Sequence, residues 1–352
     1  MKKGILLLLC AALLGALLLG ALFAHRQAEQ TPVENAGTAQ NAVVKTKTLT
    51  YQGQEYPLKT HLQTVLLIGT DTLEKYEEQT EGVKRFYNHN QADFLMLLAI
   101  DQDANTAQLI QLNRDTMTEV PWLDVLGDYG GTEVKQLCLA FNYGDGGRKS
   151  CKNTADAVSA LLFDLPIDNY IQIPMTAVGP LNDLVGGVPV TIEEDLTAVD
   201  PAFQAGQTIR LTGSQAEKFV RARMVLENDT NLARMKRQRA YMDSFQACAR
   251  AAINTDSEFT MKLLEKLGDF LQSDMTAQQL SDLVTRLDKG TVSPIRYADG
   301  ELLLGEKYYE FYPDEASLWE IVKAACCELK CAPHRHAAHV FAVVGSLFKI
   351  AL

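Results

Sequence analysis

Residues Ile5 to Ala24, ILLLLCAALLGALLLGALFA, form a run of 20 with no charged side chain. As a helix rising about 1.5 Å per residue, the run spans about 30 Å, the thickness of a bilayer's hydrocarbon core. A segment of this kind either crosses a membrane or is cut away during export. Removal fits poorly, because the apolar part of a cleaved leader is shorter and Leu22, third before a cut after Ala24, is not small. Cys10 follows Leu9 rather than a small residue, which argues against a lipid-modified cysteine. Lys2 and Lys3 precede the run and only Arg26 closely follows it. The expected arrangement is therefore a single-pass cell-membrane protein, N-terminus inside and the bulk of the chain extracytoplasmic.

Four regions follow from composition. Residues 1–24 are the cytoplasmic start and anchor, and 25–59 a polar, aperiodic tether with a short strand near Thr48 to Tyr51. Residues 60–328 are the folded domain, and 329–352 an atypical tail. Three short apolar runs, Thr64 to Gly69, Phe94 to Ile100 and Ala107 to Leu112, read as buried strands. Each has ionisable residues at a border, and sheet ends are where α/β proteins gather ligand-binding groups. Helices are expected over Ala155 to Phe163, starting near Asn153 or Thr154, from a capping box of Ser214 and Glu217 toward Arg221, from Asn231 to about Ile253, and over Glu258 to Leu271, Thr276 to Leu287 and Asp314 to Glu328. Tyr170 to Ile173, the end of Leu184 to Val190, and Glu301 to Tyr312 read as strands. Strands interleaved with helices define an α/β fold with a helical C-terminal half.

The formal net charge of −11 argues against nucleic acid as a partner. Against that background, Arg221 to Arg239 concentrates Arg221, Arg223, Arg234, Lys236, Arg237 and Arg239 against Glu227 and Asp229. On a helix, Arg234, Arg237 and Gln238 share a face. Such a cluster is either a solvated basic surface or a set of forked donors for one anion. Asp71 and Asp93, at the borders of two strands, are either turn and surface residues or two ligands for a hard divalent cation. Arg114-Asp115, directly after the third strand, is either a structural ion pair or a phosphate clamp. Taken together, a metal and a ring of guanidinium groups suit a pyrophosphate, whose charge they neutralise as a leaving group departs.

The ordered set GTD at Gly69 to Asp71, AD at Ala92 and Asp93, NRDT at Asn113 to Thr116, FNYGDG at Phe141 to Gly146, LTGSQA at Leu211 to Ala216, RAR at Arg221 to Arg223 and ARMKRQR at Ala233 to Arg239 resembles the LytR-CpsA-Psr family. The resemblance implies an αβα sandwich with a central mixed sheet behind an N-terminal transmembrane helix. It also implies transfer of a glycopolymer, a teichoic acid or capsule-like chain, from a polyprenyl-pyrophosphate carrier to peptidoglycan. Carried over residue by residue, Asp71 and Asp93 hold Mg²⁺ or Mn²⁺, and Arg114, Arg221, Arg223, Arg234 and Gln238 bind the pyrophosphate, with Arg237 beside them. Asp115 either holds Arg114 or moves a proton. Members of the family often carry arginine where this chain has Leu73 and Gln91, and a basic residue where it has Gln136. Asn88, His89 and Asn90 are candidates to replace the missing donors. The polyprenyl tail needs an apolar tunnel, for which Val158 to Phe163 and Val178 to Val185 are candidate walls. Two other functions use the same residues: hydrolysis of a lipid pyrophosphate, and binding or regulation of an anionic cell-wall polymer without catalysis.

Cys138 and Cys151 flank a glycine-rich loop, where an exported location permits a disulfide; two separate buried thiols are the other reading. Cys326, Cys327, Cys331, His334, His336 and His339 crowd the tail. Thiolate and imidazole are zinc ligands, but this spacing matches no familiar zinc pattern.

Overall fold

The computed structural model describes residues 47–71, 88, 90–124, 126–222, 231–256, 258–306 and 308–328. The apolar run Ile5 to Ala24, Leu73, His89, Arg223 and the tail with Cys331, His334, His336 and His339 lie outside the described residues. Among the described residues, no helix is long and apolar enough to cross a membrane.

In chain order the strands are β1 (Thr48–Tyr51), β2 (Gln54–Pro57), β3 (Leu62–Thr70), β4 (Ala92–Asp101), β5 (Thr106–Leu112), β6 (Met117–Leu123), β7 (Tyr129–Gln136), β8 (Asn169–Pro174), β9 (Val188–Thr191), β10 (Thr208–Leu211), β11 (Gln272–Ser273), β12 (Thr291–Arg296), β13 (Gly300–Leu304) and β14 (Tyr309–Pro313). The helices are α1 (Arg148–Leu161), α2 (Val178–Leu184), α3 (Gly213–Arg221), α4 (Asn231–Thr255), α5 (Phe259–Gly268), α6 (Ala277–Lys289) and α7 (Glu315–Cys326).

The central sheet has the order β11-β8-β3-β4-β5-β12. It is mixed: β4 runs antiparallel to β3 and β5, whereas β8 pairs parallel with β3 and β12 parallel with β5. The apolar runs read as strands because both faces of the sheet are covered. On one face Leu66, Ile68, Leu95 and Leu97 meet Val158 and Leu162 around α1 and Trp319 and Val322 of α7. On the other, Val65, Met96, Leu98 and Leu109 meet Leu280, Leu283 and Leu287 of α6. A third core joins α3 and α4 to β9 and β10 through Phe219, Tyr241, Phe245 and Val190. Hairpin β1–β2, within the stretch read as tether, lays Tyr51 on Trp319 with ring centroids 4.6 Å apart.

Three local expectations are corrected. Helix α1 begins at Arg148 rather than near Asn153, because Asp145 Oδ1 accepts the N–H groups of Gly147 at 2.8 Å and Lys149 at 3.0 Å and so caps it. The capping box of α3 is Thr212 with Gln215, and Glu217 instead pairs with Arg221. The C-terminal half is not only helical, since β11 and β12 extend the sheet on both edges and β13–β14 add a hairpin. The β-branched residues of TVSPIR favour that strand.

Candidate active site

The antiparallel pairing of β3 with β4, and of β4 with β5, brings the end of β3, the start of β4 and the end of β5 together at one end of the central strands. Asp71, Asp93 and Arg114 stand there. The strands approach closely: a Cβ on Gly69 would lie 2.8 Å from Phe94 Cβ, which explains glycine two residues before Asp71. Gln91 donates its backbone N–H to Asp71 Oδ1 at 2.7 Å, and Asp71 returns one to the Gln91 carbonyl at 3.2 Å.

Asn113 shapes the turn after β5. Its side-chain oxygen accepts from Asp115 N at 3.0 Å and from Asn231 Nδ2 at 2.6 Å, so one amide ties this turn to the first residue of α4. Asn231 Oδ1 in turn accepts from Arg234 Nε at 3.0 Å and Nη2 at 2.6 Å. Arg234 Nη1 lies 3.2 Å from Asp93 Oδ1, and Arg114 Nη1 donates to that same oxygen. Arg114 Nη2 donates to Gln91 Oε1 and, at 2.7 Å, to Cys138 Sγ, while its Nε lies 3.5 Å from Asp115 Oδ1.

Asp93, Arg114, Asp115 and Arg234 are all buried, which removes the solvated-surface reading for Arg234 and the structural-surface reading for Asp93. Burial opposes the Arg114 charge, but Cys138, Asp93 and Asp115 more than restore it and raise its pKa. The Asp71 carboxyl is pushed up chiefly by burial, with the charge of Asp93 adding to it. Asp93 thus disfavours the charge on Asp71, and two carboxylates are the oxygen donors that a hard divalent cation with few protein ligands takes. Among the described residues, no larger His/Cys/Asp/Glu group forms a cation cluster.

The other named residues divide. Arg221, one-third exposed, donates to Glu217 Oε1 at 2.9 Å and to the Asp71 carbonyl at 3.3 Å. Arg237 is engaged by Glu194 and the Ala222 carbonyl. Gln238 is buried, with Nε2 at 3.4 Å from the Val220 carbonyl. Gln136 reaches the Tyr309 carbonyl at 2.7 Å and Asp115 Oδ1 at 3.5 Å. Asn88 is no replacement donor: its amide is spent on the carbonyls of Phe141, Asn142 and Gly144, which fixes the FNYG loop. Cys138 and Cys151 are separate buried thiols, so the disulfide does not form. Cys326 and Cys327 are buried in the core as well.

Beside the polar cluster lies an apolar cavity of about 180 Å³ between the sheet, α2, α4 and α5, walled by Phe94, Met175, Leu181, Tyr241, Phe245 and Leu263. Gly69 and Gln238 line it too, so its wall runs to within two residues of Asp71. Val178 belongs to this wall, but Val158 to Phe163 do not: they pack on the opposite face of the sheet.

A mixed sheet flanked by helices, with arginines and carboxylates at the ends of three central strands and an apolar cavity beside them, defines an α/β protein in which a buried polar cluster adjoins an apolar hollow. The chain belongs to the LytR_cpsA_psr family, which it matches over residues 23–322. It is 27% identical over 178 residues to the polyisoprenyl-teichoic acid–peptidoglycan teichoic acid transferase TagU of Bacillus cereus strain AH820, a match covering 51% of this chain and 50% of that protein. It is 25% identical over 226 residues to the TagU of Bacillus mycoides strain KBAB4, covering 62% of each. The match thus spans one half to under two thirds of these relatives. The structure of TagT bound to LI-WTA shares the fold, with a TM-score of 0.54 at 19% identity, over 76% of this chain and 90% of that one.

Proposed function

We propose that this chain transfers a glycopolymer of the teichoic acid or capsule class from a polyprenyl-pyrophosphate carrier to peptidoglycan at the membrane surface. The observation that carries the reading is the junction of two unlike environments: buried arginines and carboxylates at the ends of β3, β4 and β5, and an apolar cavity sharing Gly69 and Phe94 with those strands. An anionic head on a long hydrocarbon tail is the substrate such a junction accommodates. Relatives named as teichoic acid transferases support the same class of donor and acceptor.

In this reading Asp71 and Asp93 hold Mg²⁺ or Mn²⁺, which when bound supplies charge neutralisation at the pyrophosphate. Arg114, Arg221 and Arg234 orient the pyrophosphate oxygens, with Arg223, Arg237 and Gln238 as further contributors from α4 and the segment before it. An acceptor sugar hydroxyl attacks the phosphorus next to the glycan. The bond from that phosphorus to the bridging oxygen breaks, polyprenyl phosphate leaves, and the hydroxyl proton passes to solvent or to a carboxylate. Asp115, buried and 3.5 Å from Arg114 Nε, serves to orient that guanidinium. Positioning and charge neutralisation supply the acceleration.

The test is to incubate the full chain in detergent with a polyprenyl-pyrophosphate glycan and Mg²⁺, with and without peptidoglycan oligomers. Polyprenyl phosphate that appears only when the oligomers are present supports transfer. Release without them identifies a hydrolase, and binding without release identifies a non-catalytic holder of the polymer.

A further inference from the structure

Asp93 Oδ1 serves two guanidinium groups at once, Nη1 of Arg114 and Nη1 of Arg234. Neither arginine is idle elsewhere. Arg114 Nη2 is held by Gln91 Oε1 and Cys138 Sγ, and Arg234 is braced by Asn231 Oδ1. Among the described residues, three buried or half-buried carboxylates, those of Asp71, Asp93 and Asp115, thus face two buried arginines, a group with one negative formal charge. A divalent cation arriving alone would reverse that sign and take from two buried guanidinium groups the carboxylate oxygen they share, in a place where uncompensated charge is costly. A pyrophosphate diester, with two negative charges, restores the original balance and offers the displaced guanidinium groups new oxygens.

We infer that Arg114 and Arg234 act as internal counter-ions of Asp93 in the unliganded protein, and that the cation binds tightly only together with the pyrophosphate, Gln91 and Cys138 being positioning residues that hold Arg114 in its resting place. This rests on the assignment of Asp71 and Asp93 as the cation's ligands. Gln91 gains a particular meaning. Its side-chain carbonyl anchors Arg114 Nη2, whereas a positively charged residue at that position would repel it.

The experiment is Mn²⁺ binding to the full chain in detergent, followed by electron paramagnetic resonance, with and without geranyl-pyrophosphoryl N-acetylglucosamine as the pyrophosphate probe. The expected result is weak binding of Mn²⁺ alone, tightened by at least about tenfold with the probe at saturation. Arg234→Gln frees Asp93 from one counter-ion, and Mn²⁺ alone then binds at least about tenfold more tightly than to the wild type. Gln91→Ala, at a half-exposed position and without change of charge, keeps the test alive if Arg234→Gln fails to fold; it tightens Mn²⁺ alone by about threefold, since Arg114 loses an anchor. Mn²⁺ binding as tightly without the probe as with it, or no tightening in a folded variant, overturns the inference. Failure of the transferase reading is distinguishable, because it shows as missing product while the Mn²⁺ pattern stands.

Discussion

Arg234 Nη1 lies 3.2 Å from Asp93 Oδ1, joining helix α4 to strand β4 across 141 residues of sequence. Both side chains are nearly out of solvent, at 3% and 9% exposure. Charges so placed depend on their partners, and without Arg234 the buried Asp93 keeps only Arg114 of its two counter-ions.

Arg234→Ala therefore destabilises the protein by about 3–5 kcal/mol in urea unfolding, the range for breaking one side of a buried pair. Arg221→Ala, whose pair with Glu217 is about one-third exposed on both sides, costs about 1 kcal/mol or less. Equal costs for the two would mean that the Asp93 pairing does not bind the helix to the sheet.

Asp71 makes stability depend on pH in a stated direction. Burial, with Asp93 adding, holds its folded pKa above the ordinary value of 3.8. Between that value and the higher folded one, the native state binds more protons than the unfolded state, so the Asp71 contribution falls as pH rises. Asp71→Asn, which keeps an acceptor for the Gln91 N–H, is then more stable than the wild type at neutral pH. The gap closes as pH falls toward 3.8. Urea unfolding across pH checks this, and a variant equal to or weaker than the wild type at neutral pH refutes it.

The apolar cavity predicts a dependence on tail length. Leu181→Trp projects bulk into it from α2, and the KM for a long polyprenyl donor rises at least about tenfold while that for a geranyl donor changes little. A parallel rise for both donors would place the tail elsewhere.

Cys138 and Cys151 are free and buried. Burial also pushes both thiols above their ordinary pKa. Dithiothreitol should leave the melting temperature unchanged within about 1 °C, since no bridge restrains the unfolded chain. Peptide mapping should find iodoacetamide on these two cysteines only after denaturation. A bridged peptide, or a melting temperature lowered by reductant, would contradict the structure.

Sheet and helices were legible where one physical signal dominated. Thr64 to Gly69 and Phe94 to Ile100 are largely apolar because both faces of β3 and β4 are covered, and Asn231 to Thr255 buries Arg234, Gln238, Tyr241, Phe245 and Ala249 at helical spacing. The site was legible as a list of residue types, and Asp93, Arg114, Asp115 and Arg234 do meet. What joins them was not legible. Gln91, Cys138 and Asn231 carry no motif of their own, Asn113 only begins one, and their roles depend on contacts made 23 to 118 residues away. Arg237 shares a helix face with Arg234, yet one turn further along the helix its partners are Glu194 and the Ala222 carbonyl rather than Asp93. The misplaced start of α1 has a similar origin: Asp145 caps the helix from a loop whose conformation Asn88 fixes from afar.

The most direct test of the account is mass spectrometry of the product formed from a polyprenyl-pyrophosphate glycan and peptidoglycan oligomers by the wild type, Arg234→Ala and Arg239→Ala. Arg239 is the fitting control, because it reaches Gln111 Oε1 at 2.8 Å and lies over the ring of Tyr297, away from Asp93. The account predicts Mg²⁺-dependent glycan-linked peptidoglycan, reduced at least about a hundredfold in a folded Arg234→Ala and by no more than about threefold in Arg239→Ala. Linked product that survives the loss of Arg234, or falls equally in both variants, would contradict it.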